Sequence, residues 1–196
     1  MTVLDDAIAS AAARKATPIP DVIETPRLIL RASVAADHDE TLVAALASAA
    51  ELKQWMPWAH PQPEMQSTRR FFEGIESARE ARNMIDFQWI ERATGNLVGK
   101  GGFHHADWQL RRFEIGYWLR SSAVGKGYCS EAVSALTSYA RDHLGALRVE
   151  IRSAVDNGAS RAVAERCGYV FEGVLKRGVM AGDGSLIDGC LYAKVF

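Results

Sequence analysis

Cysteine is scarce in this chain, and the few that occur form no metal-binding or disulfide pattern. There are three in 196 residues, widely separated along the sequence at Cys129, Cys167 and Cys190. No Cys-x-x-Cys pair occurs, and no histidines stand at ligand spacing from them. An odd, scattered set argues against both a disulfide framework and a zinc site, and it indicates a reducing compartment. We therefore expect no metal.

Long apolar runs and an excess of charge are also absent. No apolar run approaches the ~20 residues that span a bilayer. Asp5 and Asp6 lie where a signal peptide would be basic, so no targeting segment is predicted. The net charge is −1, and the pairs Arg69-Arg70 and Arg111-Arg112 are too scattered to form a basic stripe. We expect a cytoplasmic protein without membrane or nucleic-acid partners.

The chain does contain enough apolar residues, 48%, for one core, and its length suits a single domain. The alanine-rich residues 1–20 end in Thr17-Pro-Ile-Pro20, and this proline pair separates them from the remainder of the chain. We predict a flexible extension over residues 1–20 and one domain over residues 21–196.

Periodicity and turn residues predict an ordered series of strands and helices. A strand at 28–31 precedes a helix over 37–52, with Leu42, Val43 and Leu46 facing inward, and a helix from Ser67 to Arg82. The remaining elements are a meander of strands over 84–91, 97–105 and 111–120, a helix ended by Gly145, a strand over 147–152, a helix from Asp156 to Gly168, and strands over 169–176 and 187–196. This order predicts an α/β fold with a mixed, mostly antiparallel sheet flanked by helices.

A glycine-rich loop, Val124-Gly-Lys-Gly-Tyr-Cys129, lies between a predicted strand and a predicted helix N-terminus. Glycine allows a tight turn and close approach of a ligand. The first N–H groups of a helix lack intrahelical partners, and the helix dipole there favours negative charge. The loop therefore predicts a phosphate cradle, although a lone Gly-x-Gly also fits an ordinary turn.

Four motifs together resemble the GNAT N-acetyltransferases. The glycine loop resembles their pyrophosphate loop, with Val124 and Cys129 departing from its pattern, and Asp156-Asn-Gly-Ala-Ser160 opens a stretch that resembles their second signature. Glu24-Thr-Pro-Arg27 and Glu114-Ile-Gly-Tyr-Trp-Leu119 point to the branch of the ribosomal-protein N-acetyltransferases. The resemblance runs from about residue 22 to the C-terminus. It implies a GNAT fold whose sheet is splayed at the cofactor site.

The resemblance further implies an acetyl-CoA-dependent transfer of an acetyl group to a primary amine, with a protein N-terminus as the expected acceptor. Backbone groups exposed where two strands splay apart would pair with pantetheine, and one N–H would polarise the thioester carbonyl. The residues it assigns to the cofactor are Trp118, Leu119, Arg120, Val124, Gly125, Lys126, Gly127, Tyr128, Cys129 and Asn157.

Two proton transfers need side chains. Glu114, on the strand that leads into the site, is the candidate base, with a solvated strand glutamate as the alternative. His104 or His105 on the neighbouring strand could also serve, with an ordinary surface or core histidine as the favoured alternative. The tyrosine that many family members use as an acid is replaced here by Ala164. Ser160 takes the acid role in the ribosomal-protein branch, and helix capping is its alternative function.

The acceptor is less defined. Trp55 and Trp58, in a proline-rich loop, either cap the core or form one wall of an acceptor pocket, with His104 nearby. Some ribosomal-protein serine acetyltransferases carry a glutamate where this chain has Val179, which puts their substrate in doubt. Acylation of a polyamine, amino acid or antibiotic, use of succinyl-CoA, a non-catalytic acyl-CoA-binding module and a homodimer all remain open.

Overall fold

The computed structural model describes residues 17–196, so the prediction for residues 1–20 falls almost wholly outside the described residues. Its centre is one eight-stranded sheet with the order β1-β2-β3-β4-β5-β6-β8-β7. The strands are β1 (Val22–Glu24), β2 (Leu28–Ala32), β3 (Ile85–Glu91), β4 (Leu97–Asp107), β5 (Arg112–Leu119), β6 (Arg148–Ala154), β7 (Val170–Met180) and β8 (Leu186–Val195).

Five α-helices and three short 3₁₀ turns accompany the sheet in the described part of the chain. The helices are α1 (His38–Leu46), α2 (Ala49–Leu52), α3 (Met65–Glu80), α4 (Tyr128–Asp142) and α5 (Gly158–Arg166), and the turns are Ala35–Asp37, Pro57–Ala59 and Ser121–Ala123. None of the helices in residues 17–196 combines the length and the hydropathy needed to cross a membrane.

The pairing of β5 with β6 interrupts an otherwise antiparallel sheet. These two strands run parallel, and they pair only where Arg112–Glu114 lies beside Arg148–Glu150. Beyond Glu114, β6 continues alongside β8, while β5 stays paired with β4. A gap therefore opens between β5 and β6. The predicted order of elements and the mixed, mostly antiparallel sheet are confirmed, and the predicted splay lies at this gap.

Alternating residues of β5 face two different layers, as expected for a strand with both faces covered. Phe113 and Ile115 are buried in the main core, which includes Leu136 of α4. Trp118 lies on the opposite face, in a smaller cluster with Leu52 of α2. The end of β5 is thus held from both sides, and it forms a firm edge for the gap.

The helix predicted over residues 37–52 is divided, and two of its predicted inward residues point outward. Ser48 is fully buried between α1 and α2, where its hydroxyl donates to the carbonyl of Ala44 at 2.9 Å and accepts the N–H of Ser121 at 3.0 Å. Val43 and Leu46 are 60% and 45% exposed. The buried residues of α1 are His38, Thr41, Leu42, Ala44 and Ala45, so of the three residues predicted to face inward only Leu42 does.

Three other features of the chain also differ from the predictions: an additional strand, a turn in the proline-rich loop and the length of β7. β1 is an additional strand whose three residues are too few to show alternation. The proline-rich loop, predicted to be irregular, contains the single 3₁₀ turn Pro57–Ala59. β7 extends to Met180 rather than ending at residue 176, and two register shifts bend it along β8.

Candidate active site

A cavity of about 730 Å³ occupies the gap between β5 and β6. One end is bounded by the glycine loop and the first turns of α4 and α5, where Gly125, Gly127 and Ser160 line it. The other end is bounded by α2 and by the strands β7 and β8, where the lining includes Leu52 and Met180. The cavity therefore connects the predicted cofactor loop to the predicted acceptor region.

The glycine loop has the backbone that an anion cradle needs. Gly125 and Gly127 have φ of +81° and +79°, and Gly127 is the N-cap residue of α4. Apart from its chain neighbours, no atom of residues 17–196 lies within 4 Å of the position that a Cβ on Gly125 would take, whereas a Cβ on Gly127 would lie 3.3 Å from Nη2 of Arg27. The N–H groups of the first turn of α4 thus lie behind two glycines that place no side chain in front of them, which fits a pyrophosphate.

We expect Gly127→Val to weaken the binding of acetyl-CoA by at least about tenfold, because valine resists a positive φ and its side chain would displace Arg27. Gly95→Val is the matched control. Gly95 has φ of +72° in the turn between β3 and β4, with no atom near its Cβ position, so it carries similar strain away from the cavity. Calorimetry should give an unchanged affinity for the control, and an unchanged affinity for Gly127→Val would contradict the cradle.

Seven of the ten predicted cofactor residues line the cavity: Trp118, Leu119, Val124, Gly125, Gly127, Cys129 and Asn157. The other three do not. The N–H of Arg120 donates to the carbonyl of Val98 at 2.8 Å, the carbonyl of Lys126 accepts a bond from Arg27, and the side chain of Tyr128 is buried with its hydroxyl on Glu91. Burial raises the pKa of the Cys129 thiol, so that this residue is a protonated, apolar part of the wall.

Ser160 lies beside Tyr117, a residue to which the sequence motifs assigned no role. The side chain of Asn157 accepts the N–H of Ser160 at 3.0 Å, so Asn157 caps α5 and the Ser160 hydroxyl is not needed as a cap. That hydroxyl lies 3.0 Å from the hydroxyl of Tyr117, and both residues line the cavity. Burial raises the pKa of Tyr117, which keeps its phenol protonated. The two form a protonated hydroxyl pair at the gap.

Ala164, where many family members carry their tyrosine, is fully buried in the main core. A tyrosine there would have to displace core residues. Tyr117 reaches Ser160 from β5 instead, and the motif Glu114-Ile-Gly-Tyr-Trp-Leu119 already contained it. Its position next to Ser160 depends on how β5 faces α5, which no local pattern in the sequence reveals.

Glu114 reaches the cavity indirectly. Its carboxylate lies 3.3 Å from Nε of Arg152, a residue that lines the cavity and also contacts the buried Glu150 at 3.2 Å. Burial raises the pKa of Glu114 above its ordinary value, while Arg152 and His105 act in the opposite direction. A carboxylate with a raised pKa is a better proton acceptor, and Arg152 connects Glu114 to the cavity.

His104 packs against Gly116, a residue of the cavity wall, and does not itself line the cavity. Its Nε2 is 3.9 Å from Oδ1 of Asp86, whose other oxygen contacts the buried Lys100. Burial lowers the pKa of His104, and Asp86 partly offsets this effect. His105 pairs across the sheet with Glu114 and is exposed. Neither histidine lines the cavity, and His104 is the one that contacts its wall, at Gly116.

The two tryptophans have different positions. Trp55 lines the cavity, while Trp58 lies behind the wall, with its ring centre 5.7 Å from that of Trp118. The turn between β7 and β8 closes against the same region, because the N–H of Gly182 donates to the carbonyl of Gln54 at 3.1 Å. A Cβ on Gly182 would lie 1.6 Å from the carbonyl oxygen of Lys53, so only glycine permits this contact.

Comparison with known proteins identifies the family and several relatives of this chain. Residues 27–170 match the family described as "Acetyltransferase (GNAT) domain". The Bacillus subtilis (strain 168) protein YdaF, named "Putative ribosomal N-acetyltransferase", is 41% identical over 118 residues, which are 59% of this chain and only 61% of YdaF. The Escherichia coli (strain K12) ribosomal-protein-serine acetyltransferase is 30% identical over 147 residues, which are 74% of this chain and 79% of that protein.

A solved structure confirms the fold. RimL, the ribosomal L7/L12 alpha-N-protein acetyltransferase in complex with coenzyme A, superposes with a TM-score of 0.81 at 27% identity. The superposition covers 89% of this chain and 98% of RimL. The predicted fold class is therefore correct.

Proposed function

The chain belongs to the GNAT acetyltransferase family, and from this premise we propose that it acetylates the N-terminal α-amine of a ribosomal protein in the cytoplasm. As a member of this family it is an acyltransferase, and its acyl donor is acetyl-CoA. The donor supplies an activated acetyl thioester. The chain's own residues have three tasks: to hold the donor, to remove a proton from the amine and to provide a proton for the leaving sulfur.

The glycine loop and the gap in the sheet serve the first task. Gly125 and Gly127 leave the first turn of α4 open to the pyrophosphate. Trp118 and Leu119, which pair with β4 on one side only, leave their other side open to the peptide-like pantetheine arm. A donor held in this gap would lie with its reactive end near Tyr117 and Ser160.

Two groups of side chains serve the proton transfers. We assign the removal of a proton from the amine to Glu114, which would act through a water beside Arg152. Burial raises the pKa of this carboxylate, which makes it a better proton acceptor. The Tyr117–Ser160 pair donates toward sulfur. A phenol with a raised pKa hydrogen-bonds to Ser160 without ionising, and this leaves the serine O–H available to a developing thiolate.

The composition of the acceptor end supports a peptide acceptor over a polyamine. Among the described residues that line the cavity, Glu51 is the only carboxylate, so a polycation would find one counter-charge. The rest of this end is apolar, with Leu52, Trp55, Met56, Val179, Met180 and Ile187. This is the observation on which the choice of acceptor rests, and the names of the ribosomal-protein relatives support it.

Val179 lies in the wall at the position where some relatives were expected to carry a glutamate. An apolar residue there neither attracts the amine nor orders a water. The acceptor of this chain should therefore differ in its first residues from that of the serine-specific enzymes, with an apolar side chain facing Val179 and Met180.

A panel of amines tests this function. Purified protein with acetyl-CoA should release free thiol with peptides that carry a free N-terminus, and mass spectrometry should place the acetyl group on the α-amine. The matched control is the same peptides with a blocked N-terminus and a free lysine. Turnover confined to polyamines, free amino acids or aminoglycosides would replace the proposal, and binding of acetyl-CoA without any turnover would indicate a non-catalytic module.

We expect Trp55→Ala to raise KM for a peptide acceptor by about tenfold, because Trp55 contributes a large apolar surface to the cavity wall. Affinity for acetyl-CoA should be unchanged. Trp58→Ala is the comparison: it removes contact with Trp118 behind the wall and should affect acceptor KM less. Equal acceptor KM in Trp55→Ala and wild type, with the fold intact, would show that this loop only caps the core.

A further inference from the structure

The N-terminal motif Glu24-Thr-Pro-Arg27 takes no part in the acyl or proton transfers, yet the structure places it against the glycine loop. Arg27 lies in the turn between β1 and β2. Its Nη1 donates to the carbonyl of Lys126 at 2.8 Å, inside the loop, and its Nε donates to the carboxylate of Glu131 at 2.6 Å, in the first turn of α4. One guanidinium therefore connects both sides of Gly127.

Glu131 is itself held firmly by the same turn. Besides the guanidinium, its carboxylate accepts the hydroxyl of Thr25 at 2.6 Å and the backbone N–H of Arg27 at 2.8 Å. Partial burial opposes ionisation of Glu131, but these donors hold its pKa below the ordinary value. Thr25 is in turn fixed by the backbone of Leu28, whose N–H donates to the Thr25 hydroxyl at 2.8 Å and whose carbonyl accepts the N–H of Thr25 at 2.9 Å.

The guanidinium also lies against an aromatic ring and a glycine. Its carbon is 4.9 Å from the ring centre of Tyr128, and Nη2 is 3.3 Å from the Cβ position of Gly127. Arg27 thus contacts the loop, the residue after it and the helix turn behind it. Between Gly125 and Gly127, which both have left-handed φ, this guanidinium holds the carbonyl of Lys126.

We propose that Arg27, anchored on Glu131, is a positioning residue that holds the glycine loop in the conformation that binds the pyrophosphate of coenzyme A. A flexible glycine loop loses entropy when it orders around a ligand, and a contact that orders it beforehand removes that cost from binding. The fork geometry matters because Nε and Nη1 point to different acceptors, which the single ammonium of a lysine cannot reach together. The role concerns the donor alone and does not depend on which amine is the acceptor.

Calorimetry with coenzyme A, on the full chain, tests this role. We expect Arg27→Ala and Arg27→Lys each to weaken binding by about tenfold or more. Arg92→Ala is the matched control: Arg92 pairs with Glu24 at 3.1 Å beside the same turn, carries the same charge, and makes no contact with the loop. The affinity of Arg92→Ala for coenzyme A should stay within about twofold of that of wild type.

Two further measurements separate loop positioning from general damage. Acetyl-pantetheine lacks the pyrophosphate, so its kcat/KM should be the same in Arg27→Ala as in wild type, while KM for acetyl-CoA rises and kcat stays nearly constant. Arg27→Ala and Glu131→Ala act on one contact, so the double variant should bind coenzyme A no more weakly than the poorer single variant.

Wild-type affinity in Arg27→Ala would overturn the proposal. If Arg92→Ala lost as much affinity for coenzyme A as Arg27→Ala, the effect would be one of general charge. Wild-type affinity in Arg27→Lys would show that a positive charge suffices. An equal loss of kcat/KM with acetyl-pantetheine in Arg27→Ala would show general misfolding. Each of these results would also overturn it. None of them bears on the acceptor, which the amine panel decides independently.

Discussion

Ser160→Ala should lower kcat by about 10²–10⁴-fold while affinity for acetyl-CoA changes little, because the leaving sulfur would lose its proton donor. The cap of α5 comes from Asn157, so the substitution should not cost the ~1 kcal/mol of a lost cap. The melting temperature should accordingly be close to that of wild type. The measurements are kcat at saturating substrates and thermal unfolding of the same preparation.

Tyr117→Phe is the companion variant, since it removes one hydroxyl and keeps the partly buried ring. If Tyr117 acts through Ser160, its loss should lower kcat less than Ser160→Ala, and the double variant should be no slower than Ser160→Ala alone. If kcat fell further in Tyr117→Phe than in Ser160→Ala, the tyrosine would be the residue that protonates the leaving sulfur. A folded Ser160→Ala variant with wild-type kcat would end the role of Ser160.

Glu114→Gln should lower kcat by about 10²-fold or more, because an amide cannot take a proton from the amine. Since the pKa of Glu114 is raised above its ordinary value of 4.5, the wild-type kcat should fall as the pH is lowered through a pKa above 4.5. This fall of kcat at low pH, the acidic limb of the pH profile, should be absent in Glu114→Gln. A buried carboxylate with a raised pKa destabilises the fold where it is ionised, so Gln should not lower the melting temperature near neutral pH.

The control is Glu172→Gln, which alters a neighbouring pair, Arg148–Glu172, away from the cavity. Its kcat and its acidic limb should match those of wild type. His104→Gln tests the competing base. Burial lowers the pKa of His104 below 6.5, so protonation of His104 would also make kcat fall on the acid side of the pH profile. Loss of the limb in His104→Gln together with its survival in Glu114→Gln would transfer the role of base to His104.

The sequence predicted the order of elements because strands and helices differ in apolar period and because Gly145 and Gly168 mark helix ends. It failed at α1, where Val43 and Leu46 fit an inward face by spacing but are exposed, while Leu42 and Ala44 are buried. Ser48 divides the predicted helix by accepting the N–H of Ser121, which is distant along the chain. Which face of a helix is buried depends on the segments that pack against it, and these can be distant in the sequence.

The candidate site was predictable where a motif is contiguous and was missed where residues meet across elements. The loop at 124–129 and the turn at Asn157–Ser160 each present their residues locally. Tyr117 reaches Ser160 across the gap in the sheet, and Arg27 reaches Glu131 over 104 positions of sequence. Both the arginine and the tyrosine belong to recognisable motifs, but a motif does not state which partner its residues contact.

The most direct test uses ribosomal proteins isolated from cells that lack this chain. They are incubated with the purified protein and isotopically labelled acetyl-CoA, with Ser160→Ala as the parallel control, and the labelled peptides are located by mass spectrometry. We predict label on the N-terminal α-amine of one or a few ribosomal proteins, and far less with the variant. Label confined to lysine side chains, or no label on any ribosomal protein while small amines are acetylated, would contradict the proposed function.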